Sequence, residues 1–203
     1  MRIFGLTGGI GCGKSLVAKL ISEAGVPIVD ADQVAREVVK PGTKYYAEIV
    51  ERFGKSVLAP DGRIDRKTLG GIVFADPARR AELESITHPP IREGIEAALA
   101  ELEGAGHHAA VVEAALLHEN RRASRFEAVV CVYCDPGTQL QRIVARDGIP
   151  PGEAQKKIGA QMDSREKARL SDHVIDNSGS PEETKCQILA LLALLKLTPL
   201  KSS

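Results

Sequence analysis

The order of apolar and polar segments along the chain predicts an α/β protein. Two short apolar runs near the start, residues 2–7 and 26–29, have the length and composition of buried strands. Residues 14–24 between them carry apolar side chains at helical spacing, and Gly25 stands where helices commonly end. A strand, a loop, a helix and a second strand in this order predict a parallel βαβ unit.

A long helical stretch interrupts this pattern before it resumes. Residues 32–102 show helical spacing and turns but no convincing strand, so they predict a helical insertion between core strands. The continuous apolar runs at 109–116 and 128–134 are typical of strands buried on both faces of a parallel sheet, and residues 173–177 predict a last short strand. The whole pattern predicts a parallel five-stranded sheet in a three-layer α/β fold.

The strongest motif is GGIGCGKS at residues 8–15, which fits the phosphate-binding pattern G-x-x-x-x-G-K-[ST] at every defined position. It follows a predicted strand and opens a predicted helix, as this pattern requires. The backbone N–H groups of such a loop and the positive end of the next helix bind phosphate, which predicts a nucleotide-binding P-loop NTPase fold. Lys14 would neutralise the β- and γ-phosphates, and Ser15 would hold Mg²⁺ through its hydroxyl. The residues expected to contact the phosphates are Gly8, Gly9, Ile10, Gly11, Cys12, Gly13, Lys14 and Ser15.

Two carboxylates, Asp30 and Asp32, follow the second predicted strand. The carboxyl ends of parallel strands open on one crevice, so we expect these side chains near the bound phosphates. Asp32 is the candidate base that accepts the proton of an attacking hydroxyl, and Asp30 would contact the substrate or the water shell of Mg²⁺. The alternative is an N-cap for a helix that begins near Gln33.

Arg142 and Arg146 lie four residues apart, on one face of the helix predicted from Pro136. Two guanidinium groups at that place could stabilise the charge of a transferring phosphoryl group. The alternative is a solvated basic face. The polar and charge-rich residues 147–170 come next, and we expect them to form a small, partly helical lid rather than core.

Charge and composition limit the partners that the protein could have. Lys+Arg and Asp+Glu each number 27, so the formal net charge is zero and no global field attracts nucleic acid or an anionic membrane. Aromatic residues make up only 3% of the chain, which leaves little material for stacking on single-stranded nucleic acid. The start shows no signal-peptide pattern, and the longest apolar segment, residues 188–195, is too short to span a bilayer. We therefore expect a cytoplasmic protein without nucleic-acid or membrane partners, and its oligomeric state is left open.

The order and spacing of these motifs closely resemble the dephospho-coenzyme A kinases, from residue 1 to about residue 195. The segments that carry the resemblance are residues 5–15, 29–32 with 35–39, 88–89, 116–117 with Glu119, and 174–179. It implies ATP-dependent phosphorylation of the ribose 3′-hydroxyl of dephospho-coenzyme A, the last step of coenzyme A synthesis. The fold would be like that of nucleoside monophosphate kinases. The alternatives are another small-molecule or nucleoside monophosphate kinase, or a regulatory nucleotide switch.

The resemblance also implies which segments of the chain bind the nucleotide, bind the acceptor and form the lid. Residues 1–32 and 104–203 would form the nucleotide-binding core, residues 33–103 a helical insertion that binds the acceptor, and residues 147–170 the lid. Asn177 matches a position near the adenine of ATP, and Mg²⁺ would accompany ATP. Asp32 would act as base or position the substrate, with Arg142 and Arg146 on the lid side. The insertion residues that would contact the acceptor are Arg63, Arg66 and His88.

Three positions depart from the usual family pattern, namely Cys12, Leu16 and Ala115, but none removes a group needed to bind phosphate or Mg²⁺. Glu113, on the third predicted strand, is a candidate to hold Mg²⁺ through water, with a structural role as the alternative.

The four cysteines do not look like a disulfide framework in a chain of this length. Cys131 and Cys134 are three residues apart in a predicted strand and therefore point to opposite faces. Cys12 stands beside Lys14 at a predicted helix N-terminus, where the pKa of a thiol falls. We therefore predict inactivation by thiol reagents, with protection by ATP, unless Cys12 is only a small residue that fits the loop.

Overall fold

A parallel five-stranded sheet confirms the predicted fold class. The computed structural model describes residues 1–118 and 125–197, so Glu119 of the family resemblance lies outside the described residues. The strands are β1 (Arg2–Gly8), β2 (Ile28–Asp30), β3 (Ala109–Glu113), β4 (Val129–Tyr133) and β5 (His173–Asp176). Their order across the sheet is β2-β3-β1-β4-β5, and each neighbouring pair is parallel.

The chain divides into two compact units, one formed by residues 1–30 with the chain from residue 102 onward, the other by residues 31–101. The helices that begin in the first unit are α1 (Lys14–Glu23), α6 (Pro136–Asp147), α7 (Pro151–Gly159), α8 (Ser164–Arg169) and α9 (Pro181–Leu194). The helices that begin in the second are α2 (Ala31–Val38), α3 (Lys44–Phe53), α4 (Arg66–Ala75) and α5 (Pro77–Gly104), with a short 3₁₀ turn at Lys55–Val57.

The core of the first unit surrounds β1, the middle strand of the sheet. Parallel strands are covered by helices on both faces, so most residues of β3 and β4 are apolar and buried. The helices α1 and α9 contact each other and contribute apolar side chains to the same cluster. Members of this cluster include Phe4, Leu6, Val17, Ile21, Val111, Val130, Val132, Ile188 and Leu192.

The second unit has an apolar core of its own, formed by Ile49, Phe53, Val57, Leu69 and Ile86. Side-chain caps define where two of its helices begin. The Thr43 hydroxyl accepts a hydrogen bond from the Tyr46 backbone N–H before α3, and the Asp65 carboxylate accepts from the Lys67 and Thr68 backbone N–H groups before α4. Within the described residues, this unit contributes no strand to the sheet, as the sequence predicts.

The structure corrects the start of one helix and shows that one part of the predicted lid packs against the sheet. The helix after β2 begins at Ala31 and not near Gln33, so Asp32 lies in its first turn and Asp30 directly precedes it. The segment 147–170 is also not a cover alone, because α8 contacts β1 and β4 and the Lys167 side chain is fully buried. A run of charged residues suggested solvent exposure, but the sheet needs a covering helix at this place.

No helix among the described residues is both long enough and apolar enough to cross a membrane.

Candidate active site

The phosphate loop connects the middle strand of the sheet to α1. It leaves β1 at Gly8 and ends at Gly13, which occupies the N-cap position of α1 with φ 86° and ψ 26°. This left-handed conformation favours glycine. Space also requires glycine here, because a Cβ on Gly13 would stand 2.1 Å from Asn177 Nδ2. A glycine at this position therefore allows both the turn and the close approach of Asn177.

A cavity of about 390 Å³ opens over this loop. It is lined by Gly8, Gly9, Ile10, Gly11, Gly13, Lys14, Ser15, Ala115, Arg142, Arg146 and Gln161. The structure thus brings the two arginines of α6 to the same cavity as the glycine-rich loop, as the sequence predicts. Cys12 is not among the lining residues and is fully buried.

Lys14 forms an ion pair inside the first unit with Glu113 at the end of β3. The Lys14 Nζ atom lies 2.5 Å from Glu113 Oε1, and the side chains are only 15% and 10% exposed. Glu113 is in register with Leu6 of β1 on one side and with Asp30 of β2 on the other. The carboxyl ends of three strands therefore place two carboxylates at the edge of the sheet where the phosphate loop begins.

The two arginines of the cavity differ in their partners. Arg142 Nη1 is buried and has no hydrogen-bond partner among the described residues. Buried donors are normally paired, so an unpaired guanidinium nitrogen at a phosphate loop indicates an anion site. Arg146 is more exposed and donates to the Asp147 carboxylate from Nε (2.7 Å) and Nη2 (3.3 Å). These hydrogen bonds, together with one from Lys157, hold the pKa of Asp147 well below its usual range.

Cys12 lies beneath the loop, in contact with two other buried side chains. Its thiol forms a hydrogen bond with Cys134, which lowers the pKa of Cys12 to about 6. The Ser164 hydroxyl, 3.6 Å from the sulfur, contributes in the same direction. The predicted direction of the pKa shift is confirmed, but its causes are Cys134 and Ser164 and not Lys14. None of the Cys12 side chain is exposed, so inactivation by thiol reagents stays a prediction that requires the loop to open.

Cys131 of β4 and Cys134, one residue after its end, follow the predicted structural interpretation. Cys131 and Cys134 are both buried free thiols. Burial raises the pKa of Cys131 to about 12, and the contact with Cys12 raises the pKa of Cys134. The sequence did not reveal that Cys134 contacts Cys12, since the two lie 122 positions apart.

Asn177 is buried beside the loop and does not line the cavity. Its Nδ2 donates to the Cys12 carbonyl oxygen at 2.8 Å, and its Oδ1 accepts from the Thr184 hydroxyl at 2.8 Å. These contacts fix the loop rather than face a base. The role near adenine remains a prediction.

The other predicted residues belong to the second unit. Asp32 lies in the first turn of α2, two residues after β2 in sequence. Arg66 is the first residue of α4, and Arg63 forms an exposed ion pair of 3.7 Å with Asp61. His88 lies in the middle of α5. Their roles toward substrates stay predictions.

Four buried or lining polar side chains at the loop escaped the sequence interpretation. Gln139 and Gln161 hydrogen-bond to Ile10, and the Lys167 ammonium donates to the Ala115 carbonyl oxygen at 2.7 Å. Ser164 completes this set beside Cys12. One signal was available: Gln139 is four residues before Ile143 on α6, so helical spacing places it on the buried face.

The residues at the cavity fit a magnesium ion that arrives with a nucleotide. Ser15, which carries a hydroxyl, lines the cavity, and Glu113 offers carboxylate oxygens nearby through its contact with Lys14; Mg²⁺ prefers oxygen ligands. Among the described residues, no cluster of three His, Cys, Asp or Glu side chains could hold a metal ion.

A phosphate loop after the middle strand of a parallel sheet, with a lysine and two arginines at one cavity, defines a protein of the P-loop kinase class. Comparison with known proteins narrows this class. The family model described as dephospho-CoA kinase matches residues 2–183. A dephospho-CoA kinase of Geobacter sulfurreducens is 50% identical over 93% of this chain and 95% of its own length. The chain belongs to the dephospho-CoA kinase family.

Solved structures agree with this assignment. The dephospho-CoA kinase of Campylobacter jejuni superposes with a TM-score of 0.69 at 27% identity, and 96% of this chain and 98% of the other are covered. A crystal structure of a Thermus thermophilus protein superposes with a TM-score of 0.84 at 32% identity, covering 96% and 97% of the two chains.

Proposed function

We propose that this protein transfers the γ-phosphoryl group of ATP to the ribose 3′-hydroxyl of dephospho-coenzyme A. The products are coenzyme A and ADP, and the reaction is the final step of coenzyme A biosynthesis. The observation that carries the proposal is the cavity lined by the phosphate loop, Lys14 and Arg142, in which a buried guanidinium nitrogen lacks a partner among the described residues. Membership of the dephospho-CoA kinase family supports the choice of acceptor.

The protein contributes mainly position and charge to such a transfer. The backbone N–H groups of the loop and the N-terminus of α1 hold the phosphates. Lys14 and Arg142 supply positive charge where negative charge accumulates on the transferring group. Arg146 acts from the cavity rim, where Asp147 orients its guanidinium.

Asp32 is the proposed base. The attacking hydroxyl must lose its proton as the bond to phosphorus forms, and a carboxylate can accept this proton. The position of Asp32, just after a strand whose last residue Asp30 is in register with Glu113, supports this role. Asp30 would contact the acceptor or the water shell of Mg²⁺, and Arg63, Arg66 and His88 would bind the acceptor within the second unit.

Mg²⁺ is proposed as the companion of ATP. Ser15 would hold it through its hydroxyl and Glu113 through water, and when bound it would neutralise phosphate charge. Asn177 would act on the side of the site where ATP binds. Residues 147–170 would serve as the lid that excludes water from the reaction, with α8 as the fixed part of this segment.

The partners are proposed to be the two small substrates alone, in the cytoplasm. The zero formal net charge supports the absence of a nucleic-acid partner.

The direct test is production of ADP by the purified protein with Mg·ATP, with and without dephospho-coenzyme A. Adenosine monophosphate is the comparison acceptor. Asp32→Asn is expected to lower the rate at least about 10²-fold at an unchanged melting temperature, whereas Asp30→Asn tests the neighbouring carboxylate. ATP-binding protein that shows no turnover dependent on dephospho-coenzyme A would overturn the proposal, and turnover with adenosine monophosphate alone would indicate a different kinase.

A further inference from the structure

Ile10, in the middle of the phosphate loop, is held at both of its backbone polar groups by glutamine side chains. Its N–H donates to Gln161 Oε1 at 3.0 Å, and its carbonyl oxygen accepts from Gln139 Nε2 at 2.7 Å. Gln139 belongs to α6 and is only 4% exposed. The Ser164 hydroxyl donates to Gln139 Oε1 at 3.4 Å, so both ends of this carboxamide have partners.

A second carboxamide holds the carbonyl two residues further along. Asn177 Nδ2 donates to the Cys12 carbonyl oxygen at 2.8 Å. Thr184 on α9 donates its hydroxyl to Asn177 Oδ1 at 2.8 Å and is itself fully buried. A buried chain of hydrogen bonds therefore leads from α9 to the phosphate loop.

Both carboxamides act from outside the cavity. Gln139 and Asn177 do not line it, so the carbonyl oxygens that they bind point away from the space where phosphate would lie. A phosphate loop binds its ligand only while its N–H groups face the anion, and rotation of one peptide would turn a negative oxygen toward phosphate. A buried donor on each carbonyl opposes this rotation strongly, because a buried hydrogen bond is costly to break.

We propose that Gln139 and Asn177 are positioning residues that hold the Ile10 and Cys12 carbonyl groups away from the cavity and so preorganise the loop for the phosphates of ATP. Thr184 orients Asn177 for this task. The inference rests on the proposed function only in taking ATP as the ligand. Loss of either donor weakens ATP binding, because the loop must then be ordered by the ligand itself.

The test uses variants of nearly equal shape. Gln139→Met removes the donor to Ile10, and Thr184→Val removes the hydroxyl that orients Asn177, while Thr184→Ser restores that hydroxyl. Gln187→Met is the matched control. The Gln187 carboxamide bonds the backbone N–H and carbonyl oxygen of Asp176 at 2.9 Å and 2.8 Å, in a more exposed place, so its loss removes two carboxamide hydrogen bonds but no contact with the loop itself.

The dissociation constant of ATP, measured calorimetrically without acceptor, is expected to rise about tenfold in Gln139→Met and in Thr184→Val, a change that corresponds to about 1.4 kcal/mol. The KM for ATP rises with it, whereas the KM for dephospho-coenzyme A and the rate at saturating ATP change less than about twofold. Thr184→Ser and Gln187→Met bind ATP like the wild type.

Two results would overturn the inference. One is a lower melting temperature in Gln139→Met and Thr184→Val with ATP affinity unchanged, which would indicate a purely structural role. The other is an equal loss of ATP affinity in Gln187→Met. Because ATP binding is measured without acceptor, the inference and the proposed function can fail separately.

Discussion

The Lys14 ammonium and the Glu113 carboxylate form an ion pair at the cavity over the phosphate loop, with Nζ and Oε1 2.5 Å apart. The β- and γ-phosphates of ATP would compete with Glu113 for this cation. Lys14→Met is expected to lower phosphoryl transfer by about 10²–10³-fold, because a positive charge that acts on the transferring group is lost. It also leaves Glu113 without its cation in a largely buried place, at a stability cost of about 1–3 kcal/mol. Steady-state ADP release and urea denaturation measure the two effects.

The double variant Lys14→Met/Glu113→Gln separates these effects. Replacing both partners removes the unpaired charge, so the free energy of unfolding should return toward the wild-type value while activity stays low. If activity returned together with stability, Lys14 would have only a structural role. Glu113→Gln alone should raise the Mg²⁺ concentration needed for half-maximal rate if Glu113 holds the ion through water.

The thiols give a second prediction, because acidity favours reaction at one cysteine and exposure favours reaction at another. The low pKa of Cys12 favours reaction, but its side chain is fully buried, and Cys186 is the exposed cysteine. A bulky disulfide reagent at pH 7 is therefore expected to modify one thiol quickly in the native protein and all four after denaturation. Stopped-flow absorbance counts the thiols.

Cys186→Ser is the matched variant for this experiment. It should abolish the fast phase and leave activity intact after treatment with the reagent. Fast modification in Cys186→Ser, with loss of activity that ATP prevents, would instead show that the loop opens often enough to expose Cys12.

The sequence predicted those parts of the protein that depend on a local pattern of residues. Apolar runs gave the five strands, and the glycine-rich motif gave the loop, since each depends on neighbours in the chain. The exact ends of strands and helices were predicted less accurately. The second strand is observed at Ile28–Asp30 rather than at 26–29, and this shift places Asp32 inside a helix instead of before it.

Contacts between distant segments could not be predicted in this way. The charge of Lys167 predicted an exposed side chain, but α8 packs on the sheet and directs the ammonium to the Ala115 carbonyl. Likewise Cys12 was expected to gain acidity from Lys14, whereas the structure gives it Cys134 as a partner. Buried polar side chains depend on which elements meet, and one sequence does not specify this.

Asp147 predicts how stability depends on pH. Arg146 and Lys157 lower the pKa of Asp147 in the folded state, so its ionised form stabilises the fold above the unfolded pKa of about 3.9. This contribution is lost as pH falls through the lower folded pKa. Asp147→Asn should therefore lower the melting temperature at pH 7, and the difference from the wild type should shrink steadily below about pH 4.

Salt provides the control for this prediction, because both cationic partners are partly exposed. The difference at pH 7 should fall between 20 mM and 0.5 M sodium chloride as the ion pairs are screened. A difference that is the same at pH 3 and pH 7 would mean that ionisation of Asp147 does not contribute.

Gly13 tests the loop geometry, and Gly148 is its natural control. Both adopt a left-handed conformation, Gly13 with φ 86° and ψ 26° and Gly148 with φ 64° and ψ 30°. A Cβ on Gly148 would have no described atom within 4 Å, whereas one on Gly13 would meet Asn177 Nδ2 at 2.1 Å. Gly148→Ala should therefore lower the free energy of unfolding by only the conformational cost, about 1–2 kcal/mol, and leave ATP affinity unchanged.

Gly13→Ala adds the displacement of Asn177, which releases the Cys12 carbonyl. We expect it to weaken ATP binding at least about tenfold, the equivalent of about 1.4 kcal/mol, in calorimetric titration. If the two variants matched in stability and in ATP affinity, Asn177 would have room to move without cost, and the loop would not depend on this contact.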